Sequence, residues 1–221
     1  MEYKVKIIDT KAVANNVKRF RLEKPEGYQF VPGQATDVSI KQEKWKEELR
    51  PFTFTSLNED PFLEFTIKRY PDHHGVTDEL HRLNPGDELI IRDVWGAISY
   101  KGPGYFIAGG AGITPFLAIL RRLFKDGQLA DNQLFFSNKK AEDVIVEKEL
   151  ADMMGVHAHF ILTREKKAGY MEGPIDEAFL QKHVSDFKRH FYICGPDAMV
   201  AALSETLTKL GAAPDAVVFE K

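Results

Sequence analysis

One cysteine, Cys194, is the only sulfhydryl in the 221-residue chain. It can close no intramolecular disulfide, and it cannot build a cysteine zinc site or an in-chain iron–sulfur cluster. Long hydrophobic runs are also missing, none approaching the roughly 20 residues that a bilayer-spanning helix needs. Neither sign of charge dominates. The formal net charge is −3, from 30 Lys and Arg against 33 Asp and Glu, which excludes a general nucleic-acid or membrane-surface binder. None of the seven histidines stands at a helical metal-ligand spacing with a carboxylate partner. His73-His74 and His157/His159 read as loop or strand residues, and no metal site is expected. Met1–Lys6 alternates as a short strand does, unlike a secretion signal. A cytoplasmic monomer without a membrane span is the expectation.

What the chain does have is a core and two textures. Apolar residues make up 43% of it, enough for packed domains. Up to about Lys101 the runs are short, alternating or β-branched: Lys4–Ile8, Val17–Leu22, Thr36–Ile40, Phe62–Lys68 and Glu88–Arg92. Turn signals such as Val31-Pro32-Gly33 and Asn84-Pro85-Gly86-Asp87 separate them, which predicts an antiparallel barrel or sandwich. A helix is expected over Thr77–Leu83, with Thr77 as its cap and Asp78 and Glu79 in a first turn whose dipole favours acids. Lys41–Glu48 reads as a charged surface loop carrying Trp45.

After Lys101-Gly102-Pro103-Gly104 strands alternate with helices. Strands are expected at Tyr105–Ala108, Gln133–Ser137, His157–Leu162 and His190–Cys194. Helices are expected at Pro115–Lys125, Val146–Met154, Ile175–His183 and Asp197–Leu210. This order predicts βαβ units and a parallel sheet. The expected organisation is therefore an antiparallel β-barrel domain over residues 1–101, followed by an α/β parallel-sheet domain over residues 102–221.

Three segments carry candidate chemistry, and each has a plain structural alternative. Gly109-Gly110-Ala111-Gly112-Ile113-Thr114-Pro115 follows a strand and opens a helix, where glycines and free N–H groups suit a diphosphate. A tight strand–helix turn without a ligand explains the same residues, and the closing proline departs from the usual dinucleotide fingerprint. Tyr192-Ile193-Cys194-Gly195-Pro196-Asp197-Ala198-Met199 occupies the corresponding place on a later strand. There the thiol either touches a nicotinamide ring or is a buried small residue. Arg50-Pro51-Phe52-Thr53-Phe54-Thr55-Ser56 supplies a diphosphate clamp, a ring-covering aromatic and a hydroxyl, or else is an amphipathic strand.

Taken in order, these segments together with Ile67-Lys68-Arg69, Gly75-Val76-Thr77 and the Val31-Pro32-Gly33-Gln34 turn resemble the ferredoxin–NADP reductase superfamily over nearly the whole chain. Leu134-Phe135-Phe136-Ser137-Asn138, with Glu142-Asp143 and Glu149-Leu150, is similar to the cytochrome b5 reductase branch. The resemblance implies a flavin-binding barrel followed by a nicotinamide-nucleotide domain, and hydride transfer from NADPH or NADH to FAD, with FMN less favoured. By the same resemblance Arg50 binds the flavin diphosphate, Pro51 and Phe52 lie against the ring system, and Thr53 sits near N5. Ile67, Lys68 and Arg69 line the flavin, while Gly75, Val76 and Thr77 meet the FAD diphosphate. Gly110, Gly112, Ile113, Thr114 and Pro115 hold the nicotinamide nucleotide, together with Ser137, Asn138, Gly195, Pro196 and Met199, and Cys194 approaches the nicotinamide.

Several positions depart from the family pattern. Phe52 replaces a usual tyrosine, His74-Gly75-Val76-Thr77 is a loose Gly-x-x-Ser, and Asp93-Val94-Trp95-Gly96 replaces a Gly-Pro-x-Gly turn. Phe219 either covers the flavin or packs in the sheet. Thr163-Arg164-Glu165-Lys166-Lys167 either holds a 2′-phosphate or is a solvated loop, whereas Ser137-Asn138 argues for NADH. An electron-acceptor protein such as a ferredoxin or flavodoxin is the expected partner, met by Lys68, Arg69, Lys44 and Lys46. Rival readings are an electron-transfer subunit without its own catalysis, a free-flavin reductase, and a binding module without flavin.

Overall fold

The computed structural model describes residues 1–96, 98–213 and the strand backbone of Val217–Phe219. The chain divides into two compact units, Met1–Ala97 with Thr114–Ile119, and Ile98–Ile113 with Leu120–Lys221.

The first unit is an antiparallel sheet of six strands: β1 Glu2–Ala14, β2 Val17–Glu23, β3 Gln34–Ile40, β4 Arg50–Thr53, β5 Phe62–Lys68 and β6 Glu88–Gly96, in the order β4-β3-β6-β1-β2-β5. β1 runs six residues past the expected Ile8 because a two-residue Asn15-Asn16 turn, with Asn16 at φ 54°, folds it directly onto β2. β6 likewise continues through Asp93–Gly96, pairing Trp95 with Ala35 where the family pattern suggested a turn. The terminal strands β4 and β5 meet again just past Thr53. Thr55 N donates to Glu64 O at 2.8 Å, and Glu64 N donates to Ser56 Oγ at 3.0 Å, closing the sheet into a barrel. Its interior is aromatic: Phe20, Phe54 and Phe65 are fully buried, and Phe30 stacks on Phe54 at 4.2 Å. Trp45 is half-buried against this core, so the Lys41–Glu48 segment is anchored at one point.

The helix α1 spans Val76–Leu80, shorter than expected and started by Gly75 in an extended conformation with no side-chain cap. Thr77 therefore lies inside the first turn and does not cap it. Asp78 also has another role. Its carboxylate is buried and takes Arg69 Nε at 2.6 Å and Arg82 at 2.8 Å, an ion-pair cluster formed from its place in the first turn. The Arg69 hydrogen bond holds the Asp78 carboxyl below the usual carboxylate range.

The second unit is a six-stranded parallel sheet of β7 Gly104–Gly109, β8 Gln133–Asn138, β9 Ala158–Leu162, β10 Met171–Glu172, β11 His190–Cys194 and β12 Val217–Phe219, ordered β10-β9-β8-β7-β11-β12. Its helices are α3 Glu147–Met154, α4 Glu177–His183 and α5 Asp197–Lys209, with the second half of α2 Thr114–Lys125. Asp176 caps α4, accepting from Phe179 N at 2.9 Å. Arg121 on α2 grips Glu149 on α3 through Nε at 2.6 Å and a second nitrogen at 3.0 Å. The segment entering β7 is tied down by buried Tyr192, whose hydroxyl accepts from Lys101 N at 2.8 Å and Gly102 N at 3.0 Å. Among the described residues, no helix is long and apolar enough to cross a membrane.

α3 begins one residue later than the periodicity predicts because Val146 is left-handed, at φ 45° and ψ 37°. A β-branched residue is strained there, since its Cβ crowds the neighbouring carbonyl. Val146→Gly is expected to raise stability by up to about 1 kcal/mol, the usual left-handed penalty less the lost side-chain contacts. Urea unfolding measures it, and a less stable variant contradicts the strain.

His159 Nε2 lies 3.0 Å from Gln133 Oε1, whose Nε2 lies 2.7 Å from His157 Nδ1. Burial pushes His159 below its ordinary value, and His183 and His157 push it the same way. A histidine depressed in the fold favours the folded state only while neutral. That stability is present above the unfolded value of about 6.5 and is lost as pH falls through it toward the folded value. Unfolding midpoints should therefore fall from about pH 7.5 to about pH 5.5, and those of His159→Gln should fall less steeply. An equal slope in the variant contradicts the assignment.

Candidate functional site

On the first unit the expected flavin residues gather at the two strands that border the barrel seam. Hydrogen bonding alternates along a strand, and both main-chain groups of one residue point to the same side. Glu64 turns its N–H and C=O to the seam, while Arg69 N donates back toward β2, to Asn16 O at 2.7 Å. Thr66 and Lys68 are in phase with Glu64, so their main-chain groups also point to the seam side. Among the described residues, no strand pairs with them on that side past Thr55. This edge suits a planar heterocycle rimmed with hydrogen-bonding atoms.

Across the seam Phe52 is half-buried, its ring 6.2 Å from Phe65, and Thr53 is buried with its Cα opposite Ala35. Arg50 and Pro51 are exposed. The Arg50 guanidinium bonds Leu49 O at 2.6 Å and lies 3.6 Å from Glu48, a loose surface arrangement that leaves donors for an anion. Ile67 points into the core, so its contribution to a ligand is limited to its backbone. Arg69 is engaged by Asp78, and Lys46 by Glu43 at 3.0 Å, whereas Lys68 lies over Tyr70 and Lys44 over Trp45. Gly75, Val76 and Thr77 form the first turn of α1, with Val76 buried. The donor set fits a flavin: a half-buried aromatic, the Thr53 hydroxyl, an open strand edge and an arginine.

On the second unit the carboxyl ends of β7, β8, β9 and β11 stand side by side. Gly109 is opposite Ser137, and Asn138 is opposite Leu162, while Thr163 N donates to Asn138 O at 2.9 Å. Gly110 bends the chain at φ 54° into a 3-10 turn over Gly110–Ile113, and Thr114-Pro115 opens α2. Two glycines in this region serve packing. A Cβ on Gly112 would overlap the Cys194 carbonyl, and one on Gly109 would fall 2.5 Å from the Met199 sulfur and 3.0 Å from the Pro196 ring. The two motif turns thus touch backbone to backbone, with Gly195 completing the contact. Cys194 is buried, and beside it a cavity of about 540 Å3 runs along α5, lined by Ile193, Cys194, Gly195, Asp197, Val200 and Ser204 among others. Phe219 pairs with Ile193 through its backbone, and its side chain lies outside the described residues.

Asn138 stands out chemically. It is 5% exposed, yet neither amide atom of its side chain has a hydrogen-bond partner among the described residues. Unpaired buried amides are uncommon and costly, so one at the carboxyl end of a parallel strand fits a group awaiting a polar ligand. Beyond it, Arg164 N donates to Lys139 O at 3.0 Å, which makes two exposed basic residues main-chain neighbours, while the Glu165 carboxylate accepts from Ala141 N at 2.7 Å. Tyr170 donates to Glu147 at 2.6 Å, and burial beside that carboxylate pushes its phenol up to about 12. Sequence reasoning missed Lys139, although it follows β8 as Arg164 follows β9, and missed the main-chain edge of Thr66, which leaves no side-chain signal.

Known proteins agree with this geometry. Residues 4–100 match the oxidoreductase FAD-binding domain and residues 106–205 the oxidoreductase NAD-binding domain. The chain is 29% identical to NADH-cytochrome b5 reductase 2 of Coccidioides immitis, covering 90% of this chain and 67% of the relative. It is 26% identical to the reductase component of propane 2-monooxygenase from Rhodococcus jostii, covering 89% of this chain and 56% of the relative. The chain thus spans little more than half the length of that relative. Among solved structures, a ferredoxin NADP+ reductase from Neisseria gonorrhoeae with bound FAD and NADP superposes with a TM-score of 0.84 at 21% identity, covering 99% and 98% of the two chains. The flavohem-like FAD/NAD binding domain of nitric oxide dioxygenase from Vibrio cholerae reaches 0.88 at 20% identity, covering 98% and 97%. With an antiparallel barrel matching the FAD-binding domain and a parallel sheet matching the NAD-binding domain, the chain belongs to the ferredoxin–NADP reductase superfamily of oxidoreductases.

Proposed function

We propose that the chain takes hydride from a nicotinamide dinucleotide onto bound FAD and passes the electrons to a separate carrier protein. Residues 1–101 would hold the flavin and 102–221 the nucleotide. The observation that carries this reading is the pairing of an open β5 edge, framed by Arg50, Phe52 and Thr53, with a strand-end crevice containing the unpartnered Asn138 amide on the same chain. FAD, when bound, supplies the two-electron chemistry, so no acid–base triad is required of the protein. The chain's own residues bind and orient. Phe52 offers a face for the ring system, Thr53 a hydroxyl for its polar centre and Arg50 a clamp for the diphosphate. Gly110 and Gly112 shape the turn that meets the nucleotide, and Cys194 with Gly195 forms a close-packed floor for the nicotinamide. The acceptor reading is supported by relatives that are themselves reductase components of oxygenase systems. Lys68 and Lys44 are the cations of the suggested docking set that no carboxylate engages among the described residues.

NADPH is favoured over NADH by one observation, the exposed basic residues Lys139 and Arg164 as main-chain neighbours, neither in an ion pair among the described residues. Two cations there suit a 2′-phosphate.

Steady-state reduction of ferricyanide by either nucleotide tests the activity, and no turnover by the FAD-loaded protein contradicts it. In Thr53→Ala, flavin binding should persist while flavin reduction slows about tenfold, equivalent to about 1.4 kcal/mol of barrier; an unchanged rate removes Thr53 from the reaction. Lys139→Ala with Arg164→Ala should raise the KM for NADPH at least about tenfold, the loss of charge-assisted bonds, and leave that for NADH unaltered. Equal effects on the two nucleotides would overturn the phosphate assignment.

A further inference from the structure

His81, the first residue after α1, is no part of the motifs described above, yet it reaches the strand that borders the seam. Its Nε2 lies 2.8 Å from Ile67 O. A carbonyl only accepts, so the imidazole must present Nε2–H to it. The ring is half-buried, edge-on to Phe20 at 5.9 Å. Lys18 Nζ donates to the His81 carbonyl at 2.6 Å, and Asp78 holds Arg69 at 2.6 Å. Two hydrogen bonds from one short helical segment therefore fasten the last residues of β5.

The Ile67 carbonyl belongs to the same peptide as Lys68 N–H, and in a trans peptide these groups point in opposite directions. Ile67 O faces β2 and His81, so Lys68 N–H faces the seam side. That is the edge on which the proposed flavin lies, and this inference rests on that reading. We infer that His81 is a positioning residue for the flavin, fixing and polarising the Ile67–Lys68 peptide so that Lys68 N–H is a stronger donor to the acceptor rim of the isoalloxazine. Donation into a carbonyl sharpens the N–H at the other end of that amide, as in any hydrogen-bonded chain. A stronger donor stabilises the electron-rich reduced flavin more than the oxidised form. Charged groups around the ring are Lys18 on β2, Arg69 after β5 and Asp78 on α1. Burial pushes His81 below its ordinary value, and Lys18 and Arg69 act in the same direction, against the Ile67 hydrogen bond and Asp78.

The test compares FAD-loaded wild-type protein with His81→Leu, which keeps the packing and loses the donor, and His81→Gln, which keeps an N–H. His81→Leu should weaken FAD binding about three- to tenfold, shift the flavin midpoint potential to more negative values and displace the visible flavin band. His81→Gln should restore all three toward wild type. If His81→Leu does not fold, His81→Asn, too short to reach Ile67 O, gives the same reading. A merely structural histidine would lower the melting temperature and leave potential and band unmoved, and that outcome overturns the inference. So does a Gln variant as displaced as the Leu variant. Wild-type protein that takes up no FAD overturns the flavin reading and this inference with it, whereas a wild-type-like Leu variant overturns this inference alone.

Discussion

Thr55 and Glu64 close the barrel through a main-chain hydrogen bond of 2.8 Å, and the phase of that bond decides what the neighbouring strand can offer. Because Glu64 faces the seam, Thr66 and Lys68 must face it too, while Phe65 and Ile67 pair with β2 and fill the core. The seam is occupied at Glu64 and open two residues later. The side chains proposed to meet the flavin, Phe52 and Thr53 from β4 and Lys68 from β5, border that opening, while Asp78 on α1 and the following His81 hold the end of β5.

A comparable constraint organises the second unit. Its two motif turns approach until no Cβ fits at Gly112 beside the Cys194 carbonyl. The glycines therefore have a structural reason to exist apart from any phosphate, which is why a glycine-rich turn alone is a weak functional signal. Ligand chemistry in this unit is better marked by what the fold leaves unsatisfied. Asn138 is such a residue, buried with both amide atoms unpaired among the described residues, at the strand ends where parallel sheets place their ligands.

Much of this was legible in the sequence, because motifs at strand ends are local and keep their order. The barrel and the parallel sheet follow from punctuation and periodicity, whereas Arg50–Thr53, Gly109–Pro115 and Cys194–Met199 stand out as candidate site segments only through the family resemblance. Where the reading failed, the cause was tertiary. Thr77 resembles a cap, but Gly75 is already extended and α1 starts at Val76. Asp78 stands in the first turn as expected, but two arginines distant in sequence or on the next turn also claim its carboxylate. The helix expected from Val146 begins at Glu147 because Val146 is held left-handed. His81, Lys139 and the Thr66 edge depend on hydrogen-bond phase or on neighbouring strands, which no residue pattern encodes.

The central claim is that this chain alone carries electrons from a nicotinamide nucleotide to a flavin. It is tested most directly by mixing the FAD-loaded protein with NADPH, and separately with NADH, without oxygen, and following the visible flavin band in a single turnover. The account predicts that the band bleaches as the nucleotide is oxidised in equal amount. A protein that holds FAD and both nucleotides while the band stays unchanged would contradict it.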